Sequence, residues 1–240
     1  MDISKITEAA RKLLPLKRCG AVIVAAGNAS RMGGIDKVMA ELQGEPMIVR
    51  TVRTFQNCSA ISEIVIVTRP DLILPITNLT QDMPKVKAVV AGGSTRQESV
   101  NLGLNALSRK VKLAAVQDGA RPLVTWQVID RAVRAAHSFG AAAPAIPVKD
   151  TIKEAVGGVV KKTPDRATLF AVQTPQVFDF DLLRAAMKKV DQDGVQVTDD
   201  CSAVEYLGMT VKLVEGDERN LKVTTPLDLK IAEMLLEEEK

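Results

Sequence analysis

The chain has one histidine in 240 residues, His137, and 3% aromatic residues. A lone histidine, set in a stretch read as helical between Ala136 and Ser138, removes Ser-His-Asp and Cys-His schemes and most zinc sites. So few aromatics leave no broad stacking platform for single-stranded nucleic acid. The cysteines are three and scattered (Cys19, Cys58, Cys201), without metal-ligand spacing. An odd set of this kind points to a reducing, cytoplasmic setting. Apolar runs long enough to span a bilayer are missing, so no membrane partner is expected. The net charge of +3 is too small for a protein that wraps DNA or binds a membrane surface. Met1 to Arg18 lacks a signal-peptide core and cleavage site. Its Ile3, Ile6, Ala10, Leu13 and Leu14 could share one face of a helix ending at Pro15.

What remains suits one α/β domain: 46% hydrophobic and 25% charged residues. Cys19–Gly27, Glu63–Thr68, Val86–Gly93 and Leu113–Pro122 are short apolar runs without polar alternation. That is the pattern of parallel strands covered on both faces. Helical patterns lie between them. Pro46 suits a first turn, Ser94 with Gln97 has capping-box spacing, Thr125 precedes a stretch with Ile129 and Val133 on one face, and Thr225-Pro226-Leu227-Asp228 opens the last helix. Such alternation implies a Rossmann-like three-layer fold around a mostly parallel sheet. Asp150–Lys162 departs from it. Two β-rich halves joined by Gly157-Gly158 predict a hairpin arm, over about 148–173, that needs a surface to pack on. A second subunit is the economical surface. Residues 1–240 are thus read as a single domain with an N-terminal extension (1–18) and an arm.

The chemistry concentrates at strand ends. Ala25–Lys37, AAGNASRMGGIDK, follows the first strand. Gly27 permits a tight turn and close backbone approach, Gly33 and Gly34 keep the loop slim, and Arg31 and Lys37 add cations. Together these describe a polyphosphate cradle, against the plainer alternative of a solvated glycine loop. Gly34-Ile35-Asp36-Lys37 is not a Walker loop, and G-x-G-x-x-G is absent, which argues against a dinucleotide-dependent oxidoreductase. At the end of the fourth long run, Asp118 is a candidate Mg²⁺ ligand and Arg121 a candidate phosphate ligand. The plainer alternative has Asp118 closing a turn and pairing with Arg121. Asp150, Thr151, Lys153, Arg166, Thr174, Asp199 and Lys222 each read alone as surface charges, turn residues or helix caps. Attack by a phosphate on a nucleoside triphosphate needs no histidine base, because a phosphomonoester is already largely dianionic at neutral pH. It needs cations that suppress repulsion between two anions.

From Cys19 to Ala232 the chain resembles the 2-C-methyl-D-erythritol 4-phosphate cytidylyltransferases. The resemblance rests on AAGNASRMGG with Lys37, AGGSTRQESV, QDGARP, PVKDTIK, LFAVQTPQVF, VTDDCSAVEYLG and VEGDERNLKVTTPLDL, in that order. It implies transfer of CMP from CTP to a sugar-alcohol phosphate, Mg²⁺ dependence, and a homodimer with shared active sites joined through the arm. It also implies roles. Arg31 and Lys37 hold the triphosphate and stabilise its developing charge. Ala25, Ala26, Gly27, Gly93, Ser94 and Ser99 surround the nucleotide. Asp118 carries Mg²⁺, and Arg121, Lys222 and Thr174 line the acceptor site, with Lys222 also reaching toward the triphosphate. Thr151 and Arg166 enter from the partner. The chain departs from the family pattern at Asp36-Lys37-Val38, Gln117 and Ser94. Ribitol-5-phosphate cytidylyltransferases are similar and share the chemistry. A non-catalytic nucleotide-binding module is the alternative from another class.

Overall fold

Strand β1 (Cys19–Ala25) is buried along its length because it divides two apolar layers. Its odd-numbered residues Ala21 and Ile23 face one cluster, and Val22 and Val24 face the other. This explains the missing polar alternation, since a strand with helices on both faces has no solvent side. The structure, a computed structural model, describes residues 15–27 and 37–238, without the Lys37 side chain. The N-terminal helix expected to end at Pro15 lies outside them up to residue 14, and residues 15–18 of the extension are not helical; the part of the glycine loop that carries Arg31 also lies outside.

The chain then runs through a small hairpin, β2 (Glu41–Leu42) and β3 (Glu45–Pro46), into α1 (Met47–Asn57). It continues through β4 (Ile61–Thr68), α2 (Ile73–Leu79), β5 (Val86–Ala91), α3 (Arg96–Ala106), β6 (Leu113–Asp118), α4 (Trp126–Phe139) and β7 (Ala141–Pro147). After the arm, β8 (Glu154–Val156) and β9 (Val159–Lys162), come β10 (Phe170–Val172), β11 (Gln176–Asp179), α5 (Phe180–Gln192), α6 (Asp200–Tyr206), β12 (Lys212–Glu215) and α7 (Pro226–Glu237). The sheet order is β10-β7-β11-β6-β1-β4-β5, and β12 also pairs with β7, in parallel, off this path. β5, β4, β1 and β6 are mutually parallel, and β11 is antiparallel to both β6 and β7. The direction of winding reverses between β1 and β6, and this opens a crevice beyond their carboxyl ends.

Helices α1 and α4 cover one face, with Val52, Phe55, Ile129 and Val133 buried there. Helices α3, α5 and α6 cover the other through Val100, Leu104, Leu183 and Val204. Each such side chain contributes about 1.5–3 kcal/mol of burial free energy. A third cluster packs α7 onto the β2–β3 hairpin and the start of α1 through Ala232, Leu236, Leu42 and Met47. All three cysteines are free and buried, and burial pushes their thiols up.

Local expectations needed two adjustments. The cap of α3 is Thr95, whose side chain accepts from the Glu98 N–H, one residue beyond the expected Ser94–Gln97 pair. Ser94 instead donates both its N–H and its hydroxyl to the Glu98 carboxylate, each at 2.6 Å, so the reciprocal bonding is shifted along the chain. Pro46 precedes α1 as its cap rather than sitting within its first turn. Thr225 and Asp228 do form a reciprocal capping box at α7. The Gly157-Gly158 turn has positive φ at both residues, 57° and 79°, which suits a tight two-residue hairpin.

Gly103 marks where α3 lies closest to the sheet. A Cβ there would meet Val22 Cγ1 at 2.3 Å and Val67 Cγ2 at 2.8 Å. Both valines are fully buried strand residues with little room to turn. Gly103→Ala is therefore expected to lose a net ~1–2 kcal/mol, the overpacking exceeding the helix-propensity gain of about 1 kcal/mol. A urea denaturation midpoint checks this, and an unchanged midpoint would mean the sheet yields.

Candidate active site

The crevice at the β1/β6 reversal is a cavity of about 400 Å³. Ala25, Ala26 and Gly27 enter from the end of β1, Gly93 and Ser94 from the turn after β5, Ser99 from the start of α3, and Asp118 and Lys222 from the opposite side. Eight of the predicted site residues thus meet in one place. Backbone bonds hold the strand ends together. The Gly92 N–H donates to the Thr68 carbonyl at 2.7 Å, and the Gly119 N–H donates to the Val24 carbonyl at 2.8 Å. Ser99 Oγ accepts from the Gly93 N–H at 3.1 Å and donates to the Thr95 carbonyl at 2.9 Å. The φ of Gly27 is not left-handed, and among the described residues a Cβ there would meet nothing within 4 Å.

Asp118 is the electrostatic centre. Its Oδ2 lies 2.8 Å from Lys222 Nζ and 3.8 Å from Arg121 Nε, and its Oδ1 lies 3.7 Å from Arg96 Nη2. Burial opposes its charge, but Lys222, Arg96 and Arg121 outweigh burial and hold the carboxyl below the ordinary carboxylate range. The pairing of Asp118 with Arg121 and the turn bond from the Arg121 N–H to the Asp118 carbonyl (3.1 Å) match the plainer sequence reading. They do not close the site, because Arg96, Arg121 and Lys222 face two carboxylates, Asp118 and Asp200, and one positive charge is left over.

Thr174 and Arg121 stand beside the cavity rather than in its lining. The Thr174 hydroxyl accepts the Asp118 N–H at 3.1 Å. Arg121 donates to the Asn220 carbonyl at 2.6 Å. Asn220, fully buried, donates to the Thr174 carbonyl at 2.9 Å, and Gln173 pairs with both backbone groups of Asp217. This network fixes the segment that carries Lys222. Thr151 and Arg166 are not brought to the cavity of their own chain. Thr151 is exposed at the foot of the arm, and Arg166 donates to the Lys149 carbonyl at 2.8 Å. Arg31 and the Lys37 side chain lie outside the described residues.

Arg96 was not singled out from the sequence. It occupies the first turn of α3, where a cation opposes the helix dipole. An arginine placed there inside a glycine-rich motif was the available signal of a paired or ligand-binding cation. Its partner Asp200, in the first turn of α6, is fully buried and binds the guanidinium through two bonds, at 2.9 and 2.7 Å. Gln173, Gln176 and Asn220 gave no signal, because amides are mostly exposed and their burial depends on the fold.

Among the described residues no group of three or more His, Cys, Asp or Glu side chains could hold a metal ion. A Mg²⁺ site of one carboxylate completed by nucleotide phosphates still fits Asp118, since that ion commonly takes one or two carboxylates and substrate oxygens.

A three-layer α/β fold with a cationic crevice at its switch point, glycine turns on one side and a carboxylate on the other, defines a nucleotidyltransferase-class protein. The family model described as 2-C-methyl-D-erythritol 4-phosphate cytidylyltransferase matches residues 19–238. The chain belongs to that family. A relative of that name from Symbiobacterium thermophilum is 47% identical over 221 residues, covering 91% of this chain and 92% of its own. Another from Caldanaerobacter subterraneus is 42% identical, covering 90% and 97%. The crystal structure of 4-diphosphocytidyl-2C-methyl-D-erythritol synthase from Anaerococcus prevotii superimposes with a TM-score of 0.84 at 30% identity, covering 92% of this chain and 96% of that one.

Because the folded-state pKa of Asp118 is lowered, the stability its ionised form contributes is present above the ordinary carboxylate range. It is lost as pH falls through the lowered value. Asp118→Asn is expected to remove that part of the acid limb, below about pH 4, and to cost about 1.5–3 kcal/mol at neutral pH through lost charge-assisted bonds. Denaturation midpoints followed from neutral pH into acid check both, and parallel curves would remove Asp118 from the acid response.

Proposed function

We propose that this chain transfers CMP from CTP to 2-C-methyl-D-erythritol 4-phosphate, giving 4-diphosphocytidyl-2-C-methyl-D-erythritol and pyrophosphate. One observation carries the reading. In a chain 47% identical to a protein of that name, the strand-end turns meet Asp118, Lys222 and Arg96 in one crevice.

A phosphate oxygen of the acceptor attacks the α-phosphorus of CTP. The bond to the bridging oxygen breaks, and pyrophosphate leaves with that electron pair. The nucleophile is already anionic, so a proton acceptor is not required, consistent with the single histidine lying buried on α4. The task is to hold two polyanions together. Lys222 and Arg121 are assigned to the acceptor phosphate. Arg31 and Lys37 are assigned to the triphosphate and the charge that develops on the leaving group. Ala25, Ala26, Gly27, Gly93, Ser94 and Ser99 surround base and ribose. Asp118 would hold Mg²⁺, which when bound neutralises phosphate charge and polarises the phosphoryl group.

We assign Thr151 and Arg166 to the active site of a second copy. Neither lines the cavity of its own chain, and every residue from Thr151 to Thr163 is exposed. Val156, Val159 and Val160 on the arm are 70%, 61% and 53% exposed. A hairpin with that apolar surface is marginal alone, which supports a homodimer joined through the arms. Three free cysteines suit a reducing, cytoplasmic setting.

Pyrophosphate release tests the reaction. It is expected with CTP and methylerythritol 4-phosphate, and neither with ATP or GTP nor with ribitol 5-phosphate. Release only with ribitol 5-phosphate keeps the mechanism and overturns the acceptor. Binding of CTP without release from any pair would favour a non-catalytic module. Site sharing is tested separately. Lys37→Ala and Arg166→Ala are each expected to lower turnover by about 10²–10³-fold, as loss of one charge-stabilising donor does. Mixed subunits regain activity, since one of the two sites in a heterodimer then holds both residues. Confirmed heterodimers without recovery would count against sharing.

A further inference from the structure

Arg96 stands between two carboxylates. Its Nη1 and Nη2 bind Oδ1 and Oδ2 of Asp200 at 2.9 and 2.7 Å, while Nη2 remains 3.7 Å from Asp118 Oδ1, beyond hydrogen-bond distance. The Asp200 end of this pair is built in. Asp200 is fully buried at the start of α6, and its N–H and that of Cys201 both donate to Gln176 Oε1, at 3.0 and 3.1 Å. Gln176 Nε2 in turn donates to Asp199 at 2.7 Å. Asp199 is committed to the cap of α6, where it accepts from the Ser202 N–H and hydroxyl. The buried end of the pair is therefore anchored by strand β11, and the guanidinium is held from behind.

The two oxygens of Asp118 are consequently unequal. Oδ2 is occupied by Lys222, and Oδ1 faces an arginine that is held back. Without Asp200, the arginine's nearest alternative carboxylate is Asp118. A shift of roughly 1 Å would close Nη2 onto Oδ1 and form a charge-assisted bond. Both oxygens of Asp118 would then be taken by cations.

From this geometry we infer that Asp200 is a positioning residue, which holds Arg96 off Asp118 and thereby keeps Oδ1 open toward the nucleotide and its divalent ion. The inference rests on the assignment of Asp118 to nucleotide-bound Mg²⁺. It goes beyond that assignment by giving a role to a carboxylate that touches neither substrate.

The test is calorimetric titration of CTP at a series of Mg²⁺ concentrations, using the full chain, its Asp200→Asn variant and the double variant Arg96→Gln/Asp200→Asn. Asp200→Asn is expected to raise the Mg²⁺ concentration for half-maximal CTP binding about fivefold. The double variant is expected to return it to within about twofold of wild type, because the released cation is gone. A merely structural staple between α3 and α6 would lower the melting temperature in both variants and leave the Mg²⁺ dependence unmoved, which overturns the inference. A double variant no better than the single one also overturns it. Should Asp200→Asn not fold, Gln176→Met decides. It keeps both charges but frees the N–H groups that anchor Asp200, and a shift in the same direction is expected. Its absence refutes the role. If wild-type protein binds no CTP at any Mg²⁺ concentration, the nucleotidyltransferase reading falls first and this inference with it. If wild type binds and the variants match it, only the inference falls.

Discussion

Asp118 sits at the end of a strand hydrogen-bonded to β1 on one side and β11 on the other, so its backbone cannot drift. Its carboxylate is nearly buried, and an isolated charge there would be costly. Lys222, Arg121 and Arg96 make the position tolerable, and each arrives on a different segment. The segment before α7, the turn after β6 and the start of α3 must all be in register for the charges to balance. Folding and assembly of the charged crevice are therefore one event.

The balance is deliberately incomplete in the arithmetic of charge. Three cations around two carboxylates, Asp118 and Asp200, leave one positive charge in excess, suited to polyanionic ligands. Coulomb attraction without geometry would let the arginines collapse onto Asp118. Each is instead tied elsewhere: Arg96 to Asp200 and Arg121 to the Asn220 carbonyl. The buried amides Gln173, Gln176 and Asn220 hold these ties: Gln173 bonds both backbone groups of Asp217, Gln176 accepts two backbone N–H groups, and Asn220 donates to the Thr174 carbonyl, while Asn220 Oδ1 is left without a partner among the described residues. A shell of neutral side chains thus governs where the charged ones stand.

Much of this was legible in sequence. Doubly covered strands announce themselves by unbroken apolar runs, as in β1, β4 and β6; β5 carries a similar run although it closes the sheet edge and has no fully buried residue. The Gly157-Gly158 hairpin and the Thr225 cap follow from local chemistry alone. β7 is not legible in sequence, because AAAPAIP has weak strand propensity. It is a strand because β10, β11 and β12 pair with it. The same tertiary override hid β10, β11 and β12. Within the site, strand-end positions could be read from the rule that ligands sit beyond the carboxyl ends of parallel strands. Asp200 could not, since 104 residues separate it from Arg96 and nothing local distinguishes a buried acid from a capping one.

The burial of the three cysteines has a practical consequence. Cys19 lies in the central strand, Cys58 follows the first helix of one layer, and Cys201 lies in α6 of the other. Each thiol is shielded and held in its unreactive protonated form, so an alkylating reagent meets it only when that part of the molecule opens. The rate at which each is modified therefore clocks the opening of its own layer. The native chain carries three internal reporters of local unfolding, with the Cys201 clock mounted next to Asp200.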